Sequence, residues 1–386
     1  FNFYEAVFFV LGKPSLGVFQ TSLALSSFIM ILAFYKMASI YLKEIDHRLP
    51  MLATVFWSIF GGFGWLLFLK ENLQGNAPFP HLLGSVDNMS YIDISIPRVW
   101  FWFRPMVVGF TLLFILLYFL KRHDISITHF RLIYSILIAA LALFHVPELV
   151  LLVVVFFVLS FFVPKIDLRL KDAVLSSVIG LSVALLISFS LYQSSQLITS
   201  IPYDLLLELI LPLAFSYLML KSSWKGIDVF KKQMKFIIYA IIIVYVVGIT
   251  SWIANPSFSM SMVSETLFVP WLLYPVRLGI VGLLGLIGLL TMKRNSDGMI
   301  LFAFMFFSSL LVARLISYVN IYLFPIDFYE GRFIQASLLP AASILASFAV
   351  KPLINKASSF RHLNMKRIFI ITFASSLIVI VGTTSI

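Results

Sequence analysis

Cysteine is absent from the 386 residues, which excludes disulfides, thiolate metal sites and cysteine nucleophiles. Charge is scarce as well, since Asp, Glu, Lys and Arg make up 12% of the chain, against about 25% in a soluble domain. Hydrophobic residues reach 61%, and the mean hydropathy is +1.02. This balance predicts an integral membrane protein.

The signatures of common soluble enzymes are also missing. The sequence contains no phosphate-binding G-x-x-x-x-G-K-[ST] loop, no G-x-G-x-x-G after a strand, no H-E-x-x-H and no G-x-S-x-G. We find no internal repeat, no low-complexity tract and no soluble domain. The chemistry, if there is any, must therefore come from the few polar residues between apolar runs.

Long apolar runs dominate the chain. A membrane-spanning helix needs roughly 20 apolar residues, and about twelve segments approach that length. The predicted spans are 18–41, 51–69, 101–120, 131–146, 149–163, 173–192, 205–221, 236–254, 277–292, 299–323, 333–350 and 368–386. We therefore expect an all-α, polytopic transmembrane helical bundle that forms one transmembrane domain over residues 1–386.

The formal net charge of +11 would suit a nucleic-acid partner, but its distribution does not. Most of the Lys and Arg residues fall in every second short loop, which is the positive-inside pattern of multi-pass membrane proteins. This predicts basic loops inside, both Phe1 and Ile386 outside, and no nucleic-acid binding. A prokaryotic plasma membrane is the expected location, with the site on the outer face.

The predicted outer side holds two groups of charged residues before the middle of the chain. Asp87 and Asp93 lie in a long loop that precedes Arg98 and Arg104, where they could act as bases or ligands and the arginines as a phosphate clamp. An interfacial aromatic belt with snorkelling arginines explains the arginines equally simply. The turn His145-Val146-Pro147-Glu148 could orient a sugar hydroxyl or a metal, or its histidine could be a satisfied structural group.

The second half of the chain adds three arginines. Arg277 starts a predicted helix, where a cation opposes the macrodipole, and this slightly favours an anion partner. Arg314 lies well inside a span, where it should face the bundle interior with a structural partner. In Pro325–Pro340, Arg332 could pair with Asp327 or Glu330, or could contact a lipid phosphate.

The run from Tyr329 to Ala349 resembles a segment found late in GT-C glycosyltransferases, a superfamily that includes aminoarabinose transferases and protein O-mannosyltransferases. The matching residues are Arg332, Pro340, Ala341 and Ala342, and the His145–Glu148 turn is similar to that of uncharacterised members. The resemblance implies transfer of a sugar from a polyprenyl-phosphate-linked donor on the outer face, with Arg332 at the donor phosphate. It also implies a catalytic acid in a first outer loop, which we expect upstream of Phe1 together with one more span.

These inferences assign lipid-phosphate binding to Arg332, Arg277, Arg98 and Arg104, and substrate binding to Asp87, Asp93, His145, Glu148 and Glu330. The catalytic residue stays unassigned, as does any cofactor, although a divalent cation is compatible with the acidic groups; no metal ligands are assigned. The expected partners are a polyprenyl-phosphate-linked sugar and the bilayer, and other membrane subunits are compatible. Two alternatives stay open: a transporter or lipid flippase, and a non-catalytic subunit of a membrane complex.

Overall fold

The computed structural model describes residues 16–59, 104–194, 203–222, 238–248, 250, 274–291, 297–322 and 338–358. These residues form helices and, within the described ranges, no β-strand, which confirms the all-helical fold class. In chain order the helices are α1 Leu16–Leu42, α2 Leu49–Ile59, α3 Arg104–Leu120, α4 Ile127–Phe144, α5 Val146–Phe162, α6 Leu170–Ser194, α7 Tyr203–Lys221, α8 Ile238–Gly248, α9 Tyr274–Thr291, α10 Asp297–Tyr322 and α11 Leu339–Ser358.

The predicted apolar segments from 18–41 through 333–350 each overlap one of these helices, and the last, 368–386, lies outside the described residues. Four described helices are long and apolar enough to cross a membrane: Leu25–Leu42, Ile127–Phe144, Leu170–Ser190 and Gly298–Leu315. The shorter apolar stretches in the described ranges have 10–17 residues, and they are Leu49–Ser58, Val107–Leu120, Val146–Phe162, Ile238–Gly248, Leu278–Thr291 and Leu339–Pro352. Length and composition therefore support an integral membrane protein.

Large apolar side chains on the helix surfaces agree with this assignment. Leu132 on α4 is 60% exposed, Leu186 on α6 is 68% exposed, and Leu211 on α7 is 77% exposed. A soluble helix turns such a stripe toward a core, whereas a lipid-facing helix leaves it outward. These helices carry the surface that hydrocarbon would cover.

The chain divides into two compact units. The first contains α1, α3 to α7 and the first part of α10. Its core is aromatic: Phe34 on α1 meets Phe114 on α3 edge-on with ring centroids 5.1 Å apart, and Tyr41 meets Phe302 of α10 in the same way at 5.1 Å. Edge-to-face pairs of this kind add roughly 0.5–1.5 kcal/mol beyond the area that they bury.

The second unit contains α2, α8, α9, the end of α10 and α11. Its packing depends on small residues, because Gly285 and Gly288 of α9 lie against the backbone of Ala342 and Leu345 on α11. Small residues at such positions let two helices approach closely. Ala341 and Ala342, the small residues of the segment that resembles glycosyltransferases, are fully buried, and Ala342 is in this contact.

Helix α9 is kinked near its start. Gly279 has φ 56° and ψ −148°, a conformation that is essentially restricted to glycine. The hydroxyl of Tyr245 on α8 donates to the carbonyl of Gly279, which replaces a hydrogen bond that the kink removes from the helix. The main part of α9, which packs on α11, therefore begins after Gly279.

Two loops of the first unit are joined by ion pairs. Lys121, after α3, contacts Asp167, before α6, at 3.1 Å, and His123 lies 3.6 Å from the same carboxylate. Arg169 donates its backbone N–H to the carbonyl of Leu120 and its guanidinium to the carbonyls of His123 and Ile125. The ends of α3 and α5 and the starts of α4 and α6 therefore lie together.

These loop carboxylates give the first testable prediction. Hydrogen bonds from Arg122 and from Lys121 lower the pKa of Asp124 and of Asp167, respectively, below the usual 3.8. Because the folded-state pKa values are lowered, the stabilisation is complete above about pH 5 and is lost as the pH falls through the lowered values. We expect the thermal unfolding temperature in detergent to fall over that acidic range. In Asp167→Asn, we expect the unfolding temperature to change less steeply with pH. Since both carboxylates are exposed, the effect should be small, and an unchanged slope in Asp167→Asn would contradict the assignment.

Candidate functional site

The turn between α4 and α5 consists of one residue, His145. Its backbone is extended, with φ −159° and ψ 99°, and its N–H still donates to the carbonyl of Leu141 on α4 at 2.9 Å. Pro147 lies in the first turn of α5, where its missing N–H costs nothing. The chain therefore leaves one helix and enters the next without a loop, which fixes both side chains that flank the turn.

Glu148 occupies the first turn of α5, where the partial positive charge of a helix N-terminus favours a carboxylate. The side chain is completely buried, and His145 is only 8% exposed. Nδ1 of His145 is hydrogen-bonded to Oε2 of Glu148. One proton serves this contact, carried either by the imidazole or by the acid.

The second carboxylate oxygen of Glu148 is in a different situation. Oε1 is buried and has no hydrogen-bond partner among the described residues. A buried carboxylate oxygen without a donor is costly, because the water it lost on folding has not been replaced. Glu148 thus has one oxygen bonded to His145 and one buried oxygen that no described residue satisfies.

Gly109 of α3 packs against the His145–Glu148 pair. A Cβ atom at this position would lie 2.8 Å from Oε2 of Glu148 and 2.9 Å from the Cβ of His145. Distances under 3.0 Å are too short for any side chain to be accommodated without a shift. Glycine is therefore required if α3 is to pack directly against the His145–Glu148 pair.

This site lies at the opposite end of the helices from the joined loops. Gly109 is near the start of α3, and His145 directly precedes the start of α5. Lys121 follows the end of α3, and Asp167 follows the end of α5. Arg131 near the start of α4 also pairs with Asp172 near the start of α6, at 2.6 Å. One end of this helical unit is rich in exposed ion pairs, and the other holds a buried acid and imidazole.

Most of the other site residues predicted from the sequence lie outside the described residues: Asp87, Asp93, Arg98, Glu330 and Arg332. Arg104 is the first residue of α3, and Arg277 is in the first turn of α9, but their side chains are outside the described part. Of the predicted set, the structure brings together His145 and Glu148. Their roles stay predictions.

Arg314 was predicted to lie within a span and to face the bundle interior, and the residue is buried, with 4% of it exposed. Sequence reasoning missed Gly109, which sits in the apolar run RPMVVGFTLLF without any polar signal. No group of three or more His, Asp or Glu residues that could hold a metal occurs within the described ranges. The His145–Glu148 pair offers two ligands, which is fewer than a structural or catalytic metal site usually needs.

Comparisons with protein-family models, with curated proteins and with solved structures find no match to this chain.

Proposed function

We propose that the protein is a membrane glycosyltransferase, which moves a sugar from a polyprenyl-phosphate-linked donor to a hydroxyl acceptor at the outer face of the membrane. The observation that carries the proposal is the difference between the two ends of the first unit. A buried carboxylate–imidazole pair lies at one end, and loops rich in Lys and Arg lie at the other.

The sidedness follows from the positive-inside rule. Lys121, Arg122 and Arg169 lie in the two joined loops, and loops of this composition stay on the cytoplasmic side. His145 and Glu148 then face outward, near the level where a lipid-linked sugar presents its headgroup. We propose a multi-pass arrangement of about twelve spans in this chain, in the plasma membrane of a prokaryote.

The proposed chemistry needs positive charge beside the leaving phosphate. Arginine binds phosphate oxygens with two parallel hydrogen bonds, and charge that develops on the leaving group is stabilised by such fixed donors. The resemblance of the Arg332 segment to GT-C enzymes supports Arg332 as the first of these donors, with Arg277, Arg98 and Arg104 as further candidates. Asp87, Asp93 and Glu330 are candidates for contacts to the sugar or the acceptor.

A turnover assay tests the function. The full-length native protein in vesicles would be supplied with polyprenyl-phosphate-linked sugars and a hydroxyl acceptor, and release of polyprenyl phosphate would be measured. We expect covalent sugar transfer, and a loss of about 10²–10³-fold in Arg332→Ala, because a fixed donor to the leaving group is removed.

Arg361→Ala is the matched control, because Arg361 belongs to a predicted inner basic loop that takes no part in the proposed chemistry. Normal turnover in Arg332→Ala would remove Arg332 from the mechanism. Absence of transfer by the unmodified protein with all donors would contradict the glycosyltransferase proposal.

Transport is the second candidate, and the buried Arg314 in the span Gly298–Leu315 favours it. An arginine buried within an apolar span is expensive and often marks a path for a polar or anionic substrate. Uptake of a labelled substrate into vesicles, without any covalent product, would place transport first.

A further inference from the structure

We propose that Glu148 is the base that takes the proton from the acceptor hydroxyl, and that His145 is the residue that positions it. This assignment rests on the proposed function and goes beyond it. The GT-C resemblance implies a catalytic acid in a first outer loop, whereas the geometry points to Glu148, a carboxylate in the described part of the chain.

The open oxygen is the first argument. Oε2 of Glu148 is engaged by His145, while Oε1 is buried without a donor from the part of the chain that the structure describes. Folded proteins rarely leave a buried carboxylate oxygen unpaired, and such exceptions point to strain, a missing ligand or catalysis. A hydroxyl hydrogen would complete the set of hydrogen bonds that the protein leaves unfinished.

The fixed geometry is the second argument. A catalytic base works best when a neighbouring group holds it in one orientation, and His145 does this for Glu148 through Nδ1. His145 is itself fixed, because it ends α4 and starts α5, and its N–H is bonded to Leu141. Two side chains three residues apart are thereby locked without a loop that could move them independently.

The exclusion of water from the His145–Glu148 pair is the third feature that supports this assignment. Gly109 brings the backbone of α3 against the pair, so that Glu148 is completely buried and His145 almost so. Exclusion of water strengthens electrostatic interactions inside a site and prevents hydrolysis of an activated sugar. A glycosyl transfer enzyme needs this protection, because water competes with the acceptor hydroxyl for the donor.

Acceptor entry requires the α4–α5 turn to move away from α3. The turn is the single extended residue His145, which is 8% exposed beside the completely buried Glu148. The hydroxyl then meets Oε1.

The step balances as a group transfer. Oε1 of Glu148 takes the hydroxyl proton while the hydroxyl oxygen forms a bond to the anomeric carbon of the donor sugar. The bond from that carbon to the phosphate oxygen breaks, and the lipid phosphate leaves with the electron pair. Glu148 returns the proton to solvent or to the released phosphate, so no oxidant, reductant or further reactant is needed.

Glu148→Gln is the direct test, because glutamine keeps the shape and cannot take the proton. We expect the rate of sugar transfer in a single turnover to fall about 10²–10⁴-fold, with unchanged binding of the polyprenyl-phosphate-linked donor and an unchanged unfolding temperature. Glu208→Gln is the matched control, because Glu208 is an exposed carboxylate on α7 of the same unit. It should leave the rate unchanged.

His145→Gln tests the positioning role. We expect a smaller loss in kcat than in Glu148→Gln, no change in KM for the donor, and a displaced pH–rate profile, because the group that orients the base has changed. A residue that only braces the turn would lower stability and leave the pH–rate profile in place, which would contradict the positioning role.

Three further results test whether Glu148 is the base. Full transfer activity in Glu148→Gln would overturn the assignment while leaving the glycosyltransferase proposal intact. A loss of activity that only follows a loss of folded protein would overturn it as well. If the glutamine variant does not fold, Glu148→Asp replaces it: retraction of the carboxylate by one methylene should slow transfer at least about tenfold in folded protein, and an unchanged rate would refute the base.

Discussion

Replacing Gly288 with alanine is expected to destabilise the second unit by about 1–3 kcal/mol, the usual cost of forcing an extra methyl group into a packed interface. The new Cβ would overlap the carbonyl of Leu345, which belongs to the backbone of α11 and cannot rotate away. Alanine is normally better than glycine in a helix by up to about 1 kcal/mol, so a net loss would isolate the helix–helix contact as its cause.

Gly285→Ala is the graded control for this experiment. Its Cβ would meet the backbone oxygen of Ala342 at 3.1 Å, which a displacement of a few tenths of an ångström relieves. We expect a smaller loss than at Gly288, measured as the thermal unfolding temperature in detergent. Equal stability of the Gly288→Ala variant and the unmodified protein would show that α9 and α11 do not pack in this register.

Replacing Gly109 with alanine should have a comparable effect on the first unit, about 1–3 kcal/mol, and a larger one on activity. The Cβ would lie 2.8 Å from Oε2 of Glu148, a flexible end, but also 2.9 Å from the Cβ of His145, which is attached directly to the backbone. The turn between α4 and α5 must therefore move. We expect sugar transfer to fall more than stability alone explains, since the shift displaces the proposed base.

A double-mutant cycle isolates this contact. Glu148→Ala removes the carboxylate that the new methyl group would contact. Gly109→Ala should therefore lower the free energy of unfolding less in the Glu148→Ala variant than in the unmodified protein. The loss of stability that remains would come from the contact with the Cβ of His145. Additive losses in the two variants would mean that Gly109 and Glu148 do not touch.

The helical class and the helix positions could be predicted from the sequence, because long apolar runs leave few alternatives once cysteine, soluble motifs and most charge are absent. The proximity of His145 and Glu148 was predictable too, since two apolar runs meet at the predicted turn His145–Glu148, although the structure shortens that turn to His145 alone. The burial of Glu148 was not, because it depends on Gly109, which is 39 positions away. A glycine inside an apolar run carries no sign of what approaches it.

The loop ion pairs were hidden for a similar reason. The sequence marks Lys121 and Asp167 as residues of two separate basic loops, and the composition of each loop indicates only its side of the membrane. That Lys121 reaches Asp167 depends on how α3 to α6 pack, which is information from the whole unit. The charge pattern predicts sidedness, while the pairing comes from tertiary structure.

The joined loops have a consequence for the proposed multi-pass arrangement. Arg169 bonds to the carbonyls of Leu120, His123 and Ile125, so the hairpin that α3 and α4 form and the hairpin that α5 and α6 form share one anchor. If either hairpin were inserted in the inverted orientation, its loop would lie on the other side of the membrane. The hydrogen bonds from the Arg169 guanidinium to the carbonyls could then not form. In the proposed multi-pass arrangement we therefore expect the four helices to take one orientation together, so that a charge change in one loop misorients both hairpins or neither.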